Sequence, residues 1–115
     1  MTRPENRRVD STDASTVFAY HDLTPPTTAD VYRARRTLAE HLPRTPLVRS
    51  PWLSDEYDAE VYLKREDTLP TGSFKIRGVT TLLAALDDEF RDRGVVTASV
   101  GNYGRALAQA ARWFG

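Results

Sequence analysis

Between Gly72 and Gly115 the chain changes its apolar period twice, and that switch limits the folds open to it. Val79, Leu82, Leu83, Leu86 and Phe90 recur at helical spacing. They predict a long helix, capped by Ser73 and running to about Phe90, that Arg93-Gly94 closes. Val95-Val96-Thr97-Ala98-Ser99 is a different kind of run. It is short, apolar and rich in β-formers, and it reads as a compact buried strand. Gly101 makes a turn, and residues 102–114 form a last helix rich in alanine. A helix, a buried strand and a second helix in that order predict an α/β architecture with strands and helices alternating in the second half.

The first half is more broken. Residues 1–16 are polar and aperiodic and read as a disordered tail. Residues 17–27 carry a short apolar patch and Pro25-Pro26, the marks of an extended arm. A first helix is expected from about Asp30 to Leu42, capped by Thr27 or Thr28, with Asp30 where a carboxylate favours the helix dipole. Val31, Ala34, Leu38 and Leu42 form its apolar stripe, and Arg33, Arg35 and Arg36 read as a solvated face. Pro43 ends it. A short strand over 45–50 follows, then a helical turn over 51–57. A second strand over 59–66 comes next, where Val61 and Tyr62 sit in an alternating pattern. Pro70 and Gly72 break the loop after it.

Composition removes several functions. With 115 residues the chain has room for one core and not two. Lys+Arg and Asp+Glu both total 16, so no basic excess points to nucleic acid. There is no cysteine, and His21 and His41 lack ligand spacing, so neither a disulfide framework nor a zinc site is expected. No stretch reaches the ~18 apolar residues of a membrane span. The first 16 residues contain no apolar secretory core, and Glu5, Asp10 and Asp13 offset their arginines. The expectation is a cytoplasmic protein that takes a small molecule.

Two motifs carry chemistry. In Gly72-Ser73-Phe74-Lys75-Ile76-Arg77-Gly78 a lysine stands in the first turn of the long helix. Four residues before Val79, Lys75 continues the apolar stripe. The helix's positive end, burial and the neighbouring Arg77 all disfavour an ammonium there. A neutral, desolvated lysine is the nucleophile that condenses with an aldehyde. The alternative is a lysine that snorkels past an apolar stem. The second motif is Ser99-Val100-Gly101-Asn102-Tyr103-Gly104. A strand ends, a glycine turn follows and a helix begins, leaving backbone N–H groups free for an anion. The alternative is an ordinary turn with Asn102 as N-cap. Only Gly101 and Gly104 are present, so the dinucleotide fingerprint is not met.

Together the two motifs are far more specific than either alone. The runs Leu63-Lys64-Arg65-Glu66-Asp67, Pro70-Thr71-Gly72-Ser73-Phe74-Lys75-Ile76-Arg77-Gly78 and Thr97-Ala98-Ser99-Val100-Gly101-Asn102 resemble the fold-type-II pyridoxal-phosphate enzymes. These include threonine dehydratase (threonine ammonia-lyase), serine dehydratase, serine racemase and threonine synthase. The resemblance covers about residues 28–115 and implies the N-terminal part of a tryptophan-synthase-β-like architecture. It implies pyridoxal 5'-phosphate as cofactor, a small amino acid as substrate, and homo-oligomers among full-length relatives. It also implies roles for single residues. Lys75 would hold the cofactor covalently and move the substrate Cα proton, Phe74 would pack beside the pyridine ring, and Asn102 would bond the 3′-oxygen. Ser99, Gly101, Asn102 and Tyr103 would hold the substrate carboxylate.

Ile76 after the lysine is similar to the dehydratases and the racemase, whereas threonine synthases usually carry an acid there. Val100 stands where serine racemase has a second catalytic serine. Tyr103 replaces a common histidine and Arg105 a common glutamine. The implied reaction is deamination of threonine or serine. Two parts of the family pattern are expected further along than this chain runs: a glycine-rich phosphate loop, and a late Ser or Cys that meets the pyridine nitrogen. The expectation is therefore an incomplete unit, marginally stable and a poor binder of the cofactor alone. The alternatives are a non-catalytic remnant, an association module that pairs with another chain, or a threonine-synthase-like enzyme.

Overall fold

A computed structural model of the chain describes residues 24–115. The expected tail and the arm up to residue 23, with His21, lie outside the described residues. Helix α1, Thr28–Ala39, begins at Thr27 with a reciprocal cap. The Asp30 N–H donates to the Thr27 hydroxyl, and the Asp30 carboxylate accepts from the Thr27 N–H at 2.7 Å. This is the predicted start, made stronger because Asp30 both caps and faces the dipole. The helix stops three residues earlier than expected, and a single turn carries the chain on to Leu42 and Pro43.

Strands β1, Leu47–Arg49, and β2, Tyr62–Lys64, pair antiparallel with Val48 opposite Leu63. Further bonds lengthen the ladder at both ends, Ser50 N–H to Val61 O and Arg65 N–H to Pro46 O, each 2.9 Å. Pro46 offers only its carbonyl, which suits it to the ribbon's edge. Helix α2, Pro51–Glu56, links the strands, with Pro51 in its first turn and the Ser50 hydroxyl as cap. Ser54 is buried and ties helix to strand: its hydroxyl donates to Ser50 O at 2.6 Å and accepts from Val61 N–H at 3.1 Å.

The long helix expected over 73–90 is two helices, α3, Lys75–Ala84, and α4, Asp88–Asp92. The break falls at Asp87, whose ψ of 155° is extended. Asp87 and Asp88 are poor in mid-helix, and with Glu89 they are good at a helix start, where the dipole favours them. Leu83 therefore stays in the core while Phe90 is exposed. Gly94, at φ 77°, turns the chain left-handed after α4, as the Arg93-Gly94 signal predicted.

Residues 95–99 form no strand. Val96 is 97% exposed, and the only ladder among the described residues is β1 with β2. A strand exists only where a neighbour accepts its hydrogen bonds, and no described segment lies alongside this one. Val95, Val96 and Thr97 instead border a shallow groove with Leu82, Leu86, Tyr103 and Leu107. The expected alternation of strand and helix in the second half is thus realised only as helices joined by an extended segment.

Helix α5, Asn102–Phe114, has the predicted bounds. Its Ala106 and Ala110 are fully buried and face Ile76, Val79 and Leu83 of α3. Alanine at the crossing lets two helices approach closely. The two run in the same direction. Gly72, just before α3, lies beside Arg105 in the first turn of α5. Leu83, near the end of α3, borders one cavity with Ala111 and Phe114. Leu42 and Leu69 complete the core. At the far end His41 stacks on Trp113, centroids 5.2 Å apart, and meets Phe114 at 4.9 Å.

One polar cluster joins these parts. Arg77 grips Glu66 with Nε donating to Oε2 at 2.6 Å and Nη2 donating to Oε1 at 3.0 Å. The Thr45 hydroxyl donates to Glu66 Oε1 at 2.6 Å, and Lys64 Nζ donates to Thr45 O at 2.6 Å. Hydrogen bonds from Arg77, then from Thr45, hold the Glu66 carboxyl below its ordinary value of 4.5, against partial burial. The folded carboxylate therefore takes up a proton less readily than the unfolded one.

Two outcomes are expected. Leu83→Ala lowers unfolding free energy in urea titrations by about 2–5 kcal/mol, through lost contact and a cavity. The Glu66 contribution is complete above its ordinary value and is lost as pH falls through the lower folded value. Glu66→Gln should flatten the acid limb of stability against pH. The residual slope comes from Asp30 and Asp67, whose values hydrogen bonds from Thr27 and Arg65, respectively, also lower.

Candidate functional site

The segment before α3 is shaped by Gly72. Its N–H donates to Leu69 O at 2.7 Å, and its φ of 71° is one that a side chain resists. Ser73, expected as the cap of α3, is not. The residue at the cap position is Phe74, in helical conformation and without a side-chain bond. Ser73 is turned inward, and its buried hydroxyl meets no partner among the described residues.

Lys75 is the first residue of α3, in the predicted first turn, but it is exposed rather than on the buried stripe. The buried set is Ile76, Val79, Thr80 and Leu83, an i, i+3, i+4, i+7 pattern that starts one residue later. One residue is about 100° of helix rotation, enough to carry Lys75 off the core face. Arg77, whose charge was expected to bear on Lys75, is neutralised by Glu66. Burial and the Arg77 charge are therefore not supplied by these residues, and the helix's positive end remains. Lys75 has no carboxylate partner among the described residues. Its Nζ lies 4.9 Å from the centroid of the exposed Phe74 ring.

The second motif is built by Ser99. Its hydroxyl accepts from the N–H of Gly101 at 3.2 Å and of Gly104 at 3.0 Å. It does for α5 what the alternative reading of this motif assigned to Asn102. Asn102 is instead the first helical residue, after Gly101 at the cap. A Cβ on Gly104 would lie 3.4 Å from Ser99 Cβ, so the turn is close-packed. The N–H groups of Asn102 and Tyr103 meet no acceptor among the described residues, as expected of a helix start. Ser99, Gly101, Asn102 and Tyr103 thus form one exposed turn around two free donors.

Because α3 and α5 run in the same direction, both starts lie at one end of the helix pair. Gly72 and Arg105 meet there, with Arg105 Nη1 4.0 Å from where a Gly72 Cβ would stand. The first-turn motifs carrying Lys75 and Asn102 share that end. Neither Arg105's place beside Gly72 nor the Glu66–Arg77 grip was foreseen. Glu66 and Arg77 are eleven residues apart in different elements, and no local pattern reports such a pair. No metal-holding cluster occurs among the described residues, and none of their helices is long and apolar enough to cross a membrane.

Residues 38–115 match the family model described as pyridoxal-phosphate dependent enzyme. The L-threonine ammonia-lyase of Thermotoga maritima is 47% identical over 89 residues, covering 77% of this chain and 22% of that protein. The structure of maize serine racemase superposes with a TM-score of 0.71 at 35% identity, over 75% of this chain and 27% of that one. The serine racemase of Dictyostelium discoideum gives 0.70 at 34% identity, over 75% and 28%. The chain spans about a fifth to a quarter of the length of the curated relatives it matches. The match over most of its residues, with the same fold in two solved relatives, makes this chain a member of the pyridoxal-phosphate-dependent enzyme family.

Proposed function

We propose that the chain carries the lysine-bearing part of an enzyme that deaminates threonine or serine to a 2-oxo acid and ammonia. The observation that carries this is an unpaired lysine at the start of one helix, beside the start of a second helix with two free N–H donors. The name of the Thermotoga relative supports threonine as substrate, and Ile76 agrees with the deaminating members.

The residues present suit the cofactor. An aldehyde requires a primary amine free of ion pairs, and Lys75 has one next to the exposed face of Phe74. Pyridoxal phosphate, when bound, supplies the electron-accepting ring that lets a Cα–H bond ionise. The rest falls to this chain. Lys75 Nζ would hold the cofactor through its aldehyde carbon and, as a free amine, would take the substrate Cα proton. Phe74 would flank the ring and keep water from one face of it. The Asn102 amide would donate to the ring's 3′-oxygen. The N–H groups of Asn102 and Tyr103 hold the substrate carboxylate at the positive end of α5, in the turn that Ser99 and Gly101 shape. The Cα–H electron pair would become the Cα=Cβ bond as hydroxide leaves Cβ, and the free enamine would add water to give the 2-oxo acid and ammonia.

A second function is favoured by one observation: Val96 and Val100 stand fully exposed beside α5. Such a surface fits a piece that pairs with another chain, as a non-catalytic association module or as half of an oligomeric, cytoplasmic enzyme.

Borohydride reduction with pyridoxal phosphate should fix the cofactor mass to the tryptic peptide holding Lys75. Lys75→Ala should cut that labelling by at least about a hundredfold, since no other amine among the described residues stands at a helix start. Ammonia release from L-threonine or L-serine, ended by the same substitution, is expected when this segment stands within the whole enzyme; release that survives Lys75→Ala overturns the reading. Ser99→Ala should weaken amino-acid binding roughly tenfold by loosening the turn, read as a rise in KM or in the ligand's dissociation constant.

A further inference from the structure

Helix α3 begins without a side-chain cap: neither Phe74 nor Ser73 offers its side chain to the first N–H groups, and the one backbone bond there runs from Arg77 N–H to Phe74 O at 3.0 Å. An uncapped first turn frays readily, because its donors have no partner within the helix. That turn holds Lys75. Two long-range contacts restrain it. Ile76 is wholly buried, and Arg77 is gripped through two nitrogens by Glu66. Glu66 is fixed in its turn by the hydroxyl of the buried Thr45, whose carbonyl accepts from Lys64. The chain of bonds runs from the β ribbon to the helix start. Both members of the ion pair are mostly buried, with side chains 31% and 23% exposed, so water screens it less than a surface pair.

We infer that Glu66 is a positioning residue. Through Arg77 it holds the first turn of α3 closed, and it thereby fixes the backbone that carries Lys75. The fork geometry of a guanidinium on a carboxylate restrains direction as well as distance, which a single hydrogen bond does not. The same pairing keeps a bare cation from standing two residues from Lys75. The consequence for the cofactor rests on the proposed role of Lys75; the closure of the turn does not.

The experiment compares the 115-residue chain with Glu66→Gln and Glu66→Asp. The first keeps the side-chain size and loses the charge; the second keeps the charge on a shorter stem. Amide exchange at Arg77, whose N–H donates to Phe74 O at the start of α3, and at Gly78 and Val79 just after it, should quicken roughly tenfold in Glu66→Gln. The Ala110 amide of α5 should keep its rate. Reductive trapping of pyridoxal phosphate at Lys75 should slow by a similar factor, and Glu66→Asp should recover part of both effects. Equal quickening in α3 and α5, or none in either, overturns the inference. Local quickening with unchanged trapping overturns it too, because the turn then does not govern the lysine. If the unmodified chain traps no pyridoxal phosphate while Gly78 and Val79 still respond, the positioning role stands and the cofactor role proposed for Lys75 fails.

Discussion

The packing of α3 on α5 is the contact on which the rest of the structure depends. It is made by a narrow set of side chains: Ile76, Val79 and Leu83 on one helix, Ala106 and Ala110 on the other. Larger residues at 106 and 110 would hold the helices apart, since closely packed interiors leave little slack. The shared direction of the helices follows from the chain's route through α4 and the extended segment between them. That route returns the chain to the end where α3 began. Two helix starts are thereby set side by side, and with them the two motifs that sequence alone presents twenty-seven residues apart, at Lys75 and Asn102.

Much of this is legible in the sequence because it is local. The Thr27 cap, the Pro51 helical turn, the left-handed Gly94 and the bounds of α5 rest on residues within a few positions of one another. The two motif segments are legible for the same reason. What periodicity misjudges is phase and context. The stripe on α3 starts at Ile76, and a phase error of one residue moves Lys75 from the core face to solvent. Ser99 displaces Asn102 as the cap because a hydroxyl two residues before Gly101 can reach back over the turn, where cap rules look only at the adjoining residue. The 95–99 segment has every local mark of a strand, yet a strand is a property of a pair, and its partner is not among these residues.

The polar cluster at Glu66 illustrates a different limit. A charged pair that joins segments distant in sequence leaves no period and no spacing rule. Arg77 and Glu66 stand in separate motifs, and only the fold assigns them to each other. The outcome reverses an electrostatic argument. By sequence Arg77 is a cation acting on its neighbour Lys75, and the carboxylate of Glu66 cancels that field at contact distance.

The stack of His41 on Trp113 has a practical consequence. The chain has two tryptophans. Trp52 lies on the short helix of the ribbon, 71% exposed, while Trp113 is held against the imidazole where the turn after α1 meets the end of α5. Indole emission depends on its surroundings, so the two report on different places. A shift in the Trp113 component follows separation of the helices, and the Trp52 component stays near its solvent-exposed emission throughout. The protein thus carries an intrinsic optical gauge of its helical core, read without attaching any dye.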